Sequence, residues 1–152
     1  ATATLQPTQG NSVQGDVRFS NQEDGSVRVQ GTVQGLAPNS THGFHVHDKG
    51  DCSAPDGSSA GGHFNPSNTA HGLHGKGHAG DLPSLRADAA GKATFDFSTR
   101  NFLVGYGNIN VVGRGLIVHK DADDFTTQPT GNAGARLACA VITAAPENRP
   151  AN

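Results

Sequence analysis

The residues best suited to chemistry are histidines, and they are crowded: of eight in the chain, seven lie between His42 and His78, and the eighth is His119. In THGFHVHDKGDC, residues 41–52, His45 and His47 stand two apart and alternate with Phe44 and Val46. Successive side chains of a β-strand point to opposite faces, so the two histidines share one face and Phe44 and Val46 the other. If Phe44 and Val46 enter a core, both imidazoles look outward. Their Cβ atoms are then roughly 6 to 7 Å apart, near enough for the rings to meet on one metal ion. Such a pair on an exposed strand face is often just polar surface; read as ligands, it is half a metal site.

Further donors follow in a glycine-rich stretch that offers His63, His71, His74, His78 and Asp81. Three histidines and a carboxylate suit a tetrahedral zinc site, and glycines let a chain wrap an ion. Spacing alone does not choose between His71 and His74, and the bland alternative is a His-rich surface loop. The two cysteines, Cys52 and Cys139, form no C-x-x-C pair, which speaks against a zinc ribbon or a dithiol redox motif. So distant a pair reads as one disulfide, and a disulfide implies an oxidising compartment.

These residues need a scaffold, and the scaffold reads as all-β. SVQGDVRFSNQ (12–22) and SVRVQGTVQGLA (26–37) alternate apolar and polar residues, with Val13, Val17 and Phe19, then Val27, Val29 and Val33, on one face. Glu23-Asp24-Gly25 between them supplies a hairpin turn. TATLQPT, HGFHVH, SLRAD, KATFDFS, GRGLIVH and RLACAVI are further short strand candidates, and no segment of ten residues carries a helical period. That pattern calls for a closed sandwich or barrel with long loops. Residues 48–81 and 120–135 are too long and too rich in Gly, Pro and Asp for turns, and loops of that size are usually functional or disordered. The expectation is one domain over 1–152, with 144–152 a poorly ordered tail.

Composition excludes several partners. A formal net charge of −2 over 152 residues gives no basic field for nucleic acid. No apolar run is long enough for a membrane span.

The motifs HGFHVH, GGHFNP, HGLHGKGHAGDL, VVGRGLIVH, ADD and TGNAGARLAC, in this order and at these spacings, resemble copper/zinc superoxide dismutase over nearly the whole chain. The resemblance implies an eight-stranded Greek-key β-barrel with two long functional loops. It implies one copper held by His45, His47, His63 and His119, and one zinc held by His63, His71, His78 and Asp81, with His63 bridging. Asp123 would be the carboxylate behind one histidine of each metal, and Arg136 the cation that guides superoxide, the small-molecule substrate. His42 is then a buried hydrogen-bonding residue and His74 loop surface. The implied reaction is dismutation of superoxide to O₂ and H₂O₂, with copper cycling between Cu(II) and Cu(I) and His63 carrying a proton.

Cys52 follows His47 by only five residues, and His71 and His78 are seven apart. The early cysteine and the HGKGHAGDLPSL wording resemble the bacterial exported branch, hence the expectation of a periplasmic or secreted protein. The loop from His119 to Arg136 lacks the Glu/Lys cluster of eukaryotic members, leaving Lys49, Lys76 and Lys120 as weaker steering candidates beside Arg136. The competing reading is a copper/zinc buffer on the same fold without turnover. A blue-copper carrier needs a thiolate and usually an axial Met, and Met is absent; nor is there an H-E-x-x-H peptidase motif. A monomer and a homodimer are both compatible with the sequence.

Overall fold

The computed structural model describes residues 1–65, 79–105, 107, 109–123 and 134–144. Its strands are β1 (Thr2–Pro7), β2 (Gln14–Asn21), β3 (Val27–Gln34), β4 (Thr41–His42), β5 (Phe44–His47), β6 (Leu85–Arg86), β7 (Ala93–Thr99), β8 (Gly115–His119) and β9 (Arg136–Val141). A single 3₁₀ turn, Ser58–Ala60, is the only helical element among the described residues.

Seven strands form one antiparallel sheet in the order β5-β8-β9-β1-β2-β3-β7, and β4 pairs with β6. The sheet curls around one apolar core, and the turn after β6 leads straight into β7 through an Asp88 N–H to Lys92 O bond of 2.9 Å. β4 and β5 are one strand interrupted at Gly43, whose N–H donates to Asp121 O at 2.8 Å and whose O accepts His119 N–H at 2.9 Å. The described residues thus hold nine strand segments where eight were expected, because Gly43 divides β4 from β5.

The first hairpin follows its sequence pattern. β2 pairs with β3 over eight positions, from Gln14 opposite Gln34 to Asn21 opposite Val27, and Val13, Val17, Phe19, Val27, Val29 and Val33 are all buried. Gly25 holds φ at 88° in the turn, a conformation that favours glycine. Phe19, Phe44, Phe64 and Phe102 are the largest side chains in the main core.

A smaller cluster of Ala60, Ile117 and Cys139, with Cys52 packed against it, lies apart from the main core. Cys52 and Cys139 are bonded, with Cα atoms 5.8 Å apart and a sequence separation of 87. The bond fastens the stretch after β5 to the middle of β9. Closing so long a loop gives about 4 to 5 kcal/mol in the chain-entropy account. Reduction should therefore lower the melting temperature by many degrees at constant metal content, as read by calorimetry with and without reductant. Two alkylatable thiols in the native protein would contradict the bond.

Candidate metal centre

β5 is positioned from both edges. On one edge it pairs with β8, setting His45 opposite Ile117 and His47 opposite Gly115. A side chain at Gly115 would crowd Ala60 Cβ at 3.2 Å and meet Lys49 O at 2.6 Å, so glycine makes room there for the covering loop. On the other edge the chain returns twice. Phe64 N–H donates to Val46 O at 2.8 Å and Val46 N–H to Gly80 O at 2.9 Å. These contacts bridge His47 to His63 and His45 to Asp81. Gly80 packs so tightly on Val46 O that no Cβ fits.

β8 brings the fourth histidine. His119 falls at a register shift: Val118 pairs with Ala138, but His119 pairs with Arg136 rather than Leu137. Alternation down from the core residues Ala140 and Ala138 would turn Arg136 inward. The extra residue in β9 reverses this, as bulges do: Leu137 packs on the main core, while Arg136 is brought opposite His119. Its Nη1 donates to Gly57 O at 2.8 Å and its Nη2 to Gly61 O at 2.6 Å. Gly57 has φ of 78°, and a Cβ there would press on Arg136 Cβ and Cδ at 3.3 Å each.

His45, His47, His63 and His119 are all buried, and one nitrogen from each lies within 4.8 Å of the others. His47 and His45 face away from the barrel core, as alternation requires, yet both are 0% exposed because the loop closes over them. His47 Nδ1 donates to Gly61 O at 2.8 Å and His119 Nδ1 to Gly134 O at 3.3 Å. A carbonyl only accepts, so in each neutral ring Nδ1 carries the hydrogen and Nε2 the lone pair. Burial and the neighbouring imidazoles hold His47 well below the ordinary histidine range. Burial first of all lowers His119 to about 4.

The two Nε2 atoms nevertheless face one another at 3.3 Å. Two lone pairs so placed repel unless a cation lies between them. Two nitrogens each about 2.0 to 2.1 Å from one ion, at a tetrahedral angle, stand about 3.3 Å apart. The pair thus fits a shared metal.

His45 Nε2 donates to Asp123 Oδ2 at 2.8 Å, with both side chains wholly buried, which leaves Nδ1 as the ring's donor atom. A carboxylate behind a ligand fixes its tautomer in this way. An all-imidazole set suits copper. His63 belongs to the group of four, and its Nδ1 is 2.9 Å from Asp81 Oδ1, again fully buried. Those two are a nitrogen and an oxygen donor of the kind zinc takes. The remaining expected zinc donors, His71 and His78, lie outside the described residues, as do His74 and Lys76.

His42 is buried beneath the group, with Nδ1 donating to His119 O at 2.8 Å and Nε2 2.6 Å from Ser40 Oγ. Lys49 and Lys120 are exposed; the stem of Lys49 runs beside Gly61. Arg114, which the motifs contain but spacing gave no reason to single out, contacts residues next to both His47 and His63.

The family model described as copper/zinc superoxide dismutase matches residues 13–142. The chain belongs to the copper/zinc superoxide dismutase family. It is 43% identical over 145 residues to the Cu-Zn superoxide dismutase of Paramecium bursaria Chlorella virus 1, covering 90% of this chain and 75% of that one. It is 39% identical to the copper chaperone for superoxide dismutase of Mus musculus, covering 86% of this chain but 48% of the chaperone. The crystal structure of a superoxide dismutase-like protein from Bacillus subtilis superposes with a TM-score of 0.84 at 34% identity, covering 93% of this chain and 97% of that one. Membership thus spans dismutases, dismutase-like proteins and chaperones.

The depressed His119 value sets a pH dependence for the metal-free chain. Its folded pKa of about 4 lies below the ordinary 6.5, so between these values the unfolded state binds more protons. The corresponding stability is complete above pH 6.5 and is lost as pH falls through 4; His47 adds loss of the same sign. Urea denaturation of the metal-free protein should show a drop of about 2 to 3 kcal/mol from pH 7.5 to pH 4.5. A flat profile would mean that these imidazoles are not buried neutral.

Proposed function

We propose that the protein dismutates superoxide to O₂ and H₂O₂. Copper would be held by His45, His47, His63 and His119, and zinc by His63, His71, His78 and Asp81, with His63 common to both. The observation that carries this reading is the convergence of neutral, buried imidazole lone pairs, His47 Nε2 and His119 Nε2 at 3.3 Å, beside a His63 whose other face meets Asp81.

Copper supplies the one-electron redox change between Cu(II) and Cu(I) that redox-silent zinc does not. The chain supplies the rest. Asp123 holds His45 in one tautomer. His63 Nε2, on the far side of the ring from Asp81, takes up a proton in the first half of the cycle and returns it toward product in the second. Arg136 is the cation that draws a small anion toward the histidines of a chain whose net charge is −2. The Cys52–Cys139 bond supports a periplasmic or secreted location, since such bonds persist in oxidising compartments.

A second reading, a copper/zinc-binding protein without turnover, draws on the dismutase-like and chaperone relatives. Metal analysis of the purified chain beside a superoxide assay separates the two: one copper and one zinc with turnover supports the enzyme, and the same metals without turnover support the buffer.

Replacing His119 by Ala should abolish turnover and leave zinc bound; loss of zinc instead would mean that the two half-sites are reversed. Arg136→Glu should cut kcat/KM about tenfold or more. Arg136→Lys, which keeps the charge but loses the two-pronged hold, should cost less. Wild-type rate should fall as salt shortens the field to about 8 Å. A rate indifferent to salt and to charge reversal would show that access alone controls capture.

A further inference from the structure

Arg114 lies one residue before β8 and reaches across two segments that carry metal-facing histidines. Its Cζ sits 4.5 Å from the centroid of the Phe64 ring. Its Nη1 donates to Asp48 at both the backbone O, 3.1 Å, and the carboxylate Oδ1, 3.2 Å. Phe64 follows His63 and Asp48 follows His47 in the chain. The two segments run side by side, with Asp48 N–H on Gly62 O at 2.8 Å and Phe64 N–H on Val46 O at 2.8 Å. One side chain therefore touches the residue after each of two histidines in the group of four.

We propose that Arg114 is a positioning residue for the metal centre: it clamps the segment bearing His63 against the end of β5 bearing His47, and so sets the angle between the two imidazoles. This rests on the reading of the four histidines as a metal centre.

The ion pair is not valuable for its own energy, since its side chains are 34% and 53% exposed and such pairs contribute little. What it supplies is placement. Phe64 is 1% exposed, and the guanidinium carbon lies over one face of its ring at 4.5 Å from the centroid, a position where a planar cation is attracted to the ring and excludes water. The base of the arginine is itself anchored. Nε donates to Asn110 O at 3.4 Å, and Asn110 Oδ1 accepts Gly105 N–H at 2.7 Å and Val112 N–H at 3.0 Å, which orders that turn. The next residue, Gly115, is the one opposite His47. Arg114 thus ties β8, the end of β5 and the returning loop at one point. Groups behind metal ligands tune a site through orientation, and four donors within 4.8 Å leave little tolerance for a rotated ring.

The test compares Arg114→Ala in the full chain with Arg28→Ala, which removes an ion pair of similar exposure to Asp96 on β3 and β7. In the metal-free protein, amide hydrogen exchange at Asp48 and Phe64 should rise about tenfold in Arg114→Ala, with β2 and β3 amides unchanged and no such rise in Arg28→Ala. In the copper- and zinc-loaded protein, the electron paramagnetic resonance spectrum of Cu(II) should change its hyperfine splitting at unchanged copper content. Arg114→Lys, which can still reach Asp48 but has no planar face for Phe64, should return only part of the way. Unchanged exchange at Asp48 and Phe64 overturns the proposal. So does loosened exchange with an unaltered copper spectrum, because Arg114 would then brace the backbone without setting the ligands. If the wild-type chain takes up no copper, the metal-centre reading itself falls and the proposal with it, whereas bound copper with an unaltered spectrum removes this proposal alone.

Discussion

β5 has no exposed side. Phe44 and Val46 enter the main core, His45 and His47 face the other way, and all four are 0% exposed. Burying an imidazole without partners is costly, so the cover over the outer face must do more than exclude water. It supplies acceptors: Gly61 O for His47 and Asp123 for His45, with Gly134 O doing the same for His119 on β8. Each acceptor commits one ring nitrogen and leaves the other turned toward a common centre. The closure of the loops and the donor geometry of the site are therefore one event.

The cover is held by β9. Cys139 bonds Cys52, and Arg136, three residues earlier, binds the carbonyls of Gly57 and Gly61. Together they pin residues 52–61 over β5 and β8, a span otherwise tied by the 3₁₀ turn Ser58–Ala60 and a few backbone bonds. A loop rich in glycine has much entropy to lose on ordering, which is why a covalent tie is placed there rather than in the β2–β3 hairpin, where cross-strand pairing is continuous.

The sequence made the hairpin and its core plain because Val17, Phe19, Val27 and Val29 depend only on local alternation, and the sheet honours it. The histidine group was legible in its membership, through the spacing of His45 and His47 and the motifs around His63 and His119. Three features were not. The full burial of His45 and His47 comes from a loop many residues away, and nothing in HVH records what will lie above it. The turning of Arg136 toward the site depends on one extra residue, Leu137, and a bulge has no signature in alternating apolar positions. Arg114 stood in a motif, but its contacts with Asp48 and Phe64 arise only when three segments meet. In each case the missing information is tertiary, whereas residue types and spacing report what is local.

Gly61 O joins Arg136 to the histidine group. It accepts both His47 Nδ1–H at 2.8 Å and Arg136 Nη2–H at 2.6 Å, so the cation is fixed to the same carbonyl that fixes the tautomer of His47. Arg136 also contributes to keeping His47 and His119 unprotonated, since its charge is among the causes that lower both. A positive group so near the site opposes binding of a metal cation, and this cost is offset by the buried carboxylates Asp81 and Asp123, one against His63 and one against His45. The two signs are segregated: carboxylates lie behind the imidazoles in the interior, while the half-buried guanidinium lies on the loop side. An ion in the group of four would therefore be stabilised from within, and an approaching anion would meet the positive group first. That ordering of charge depends on the bulge at Leu137, because without it the guanidinium would point into an apolar core where no carbonyl or anion could reach it.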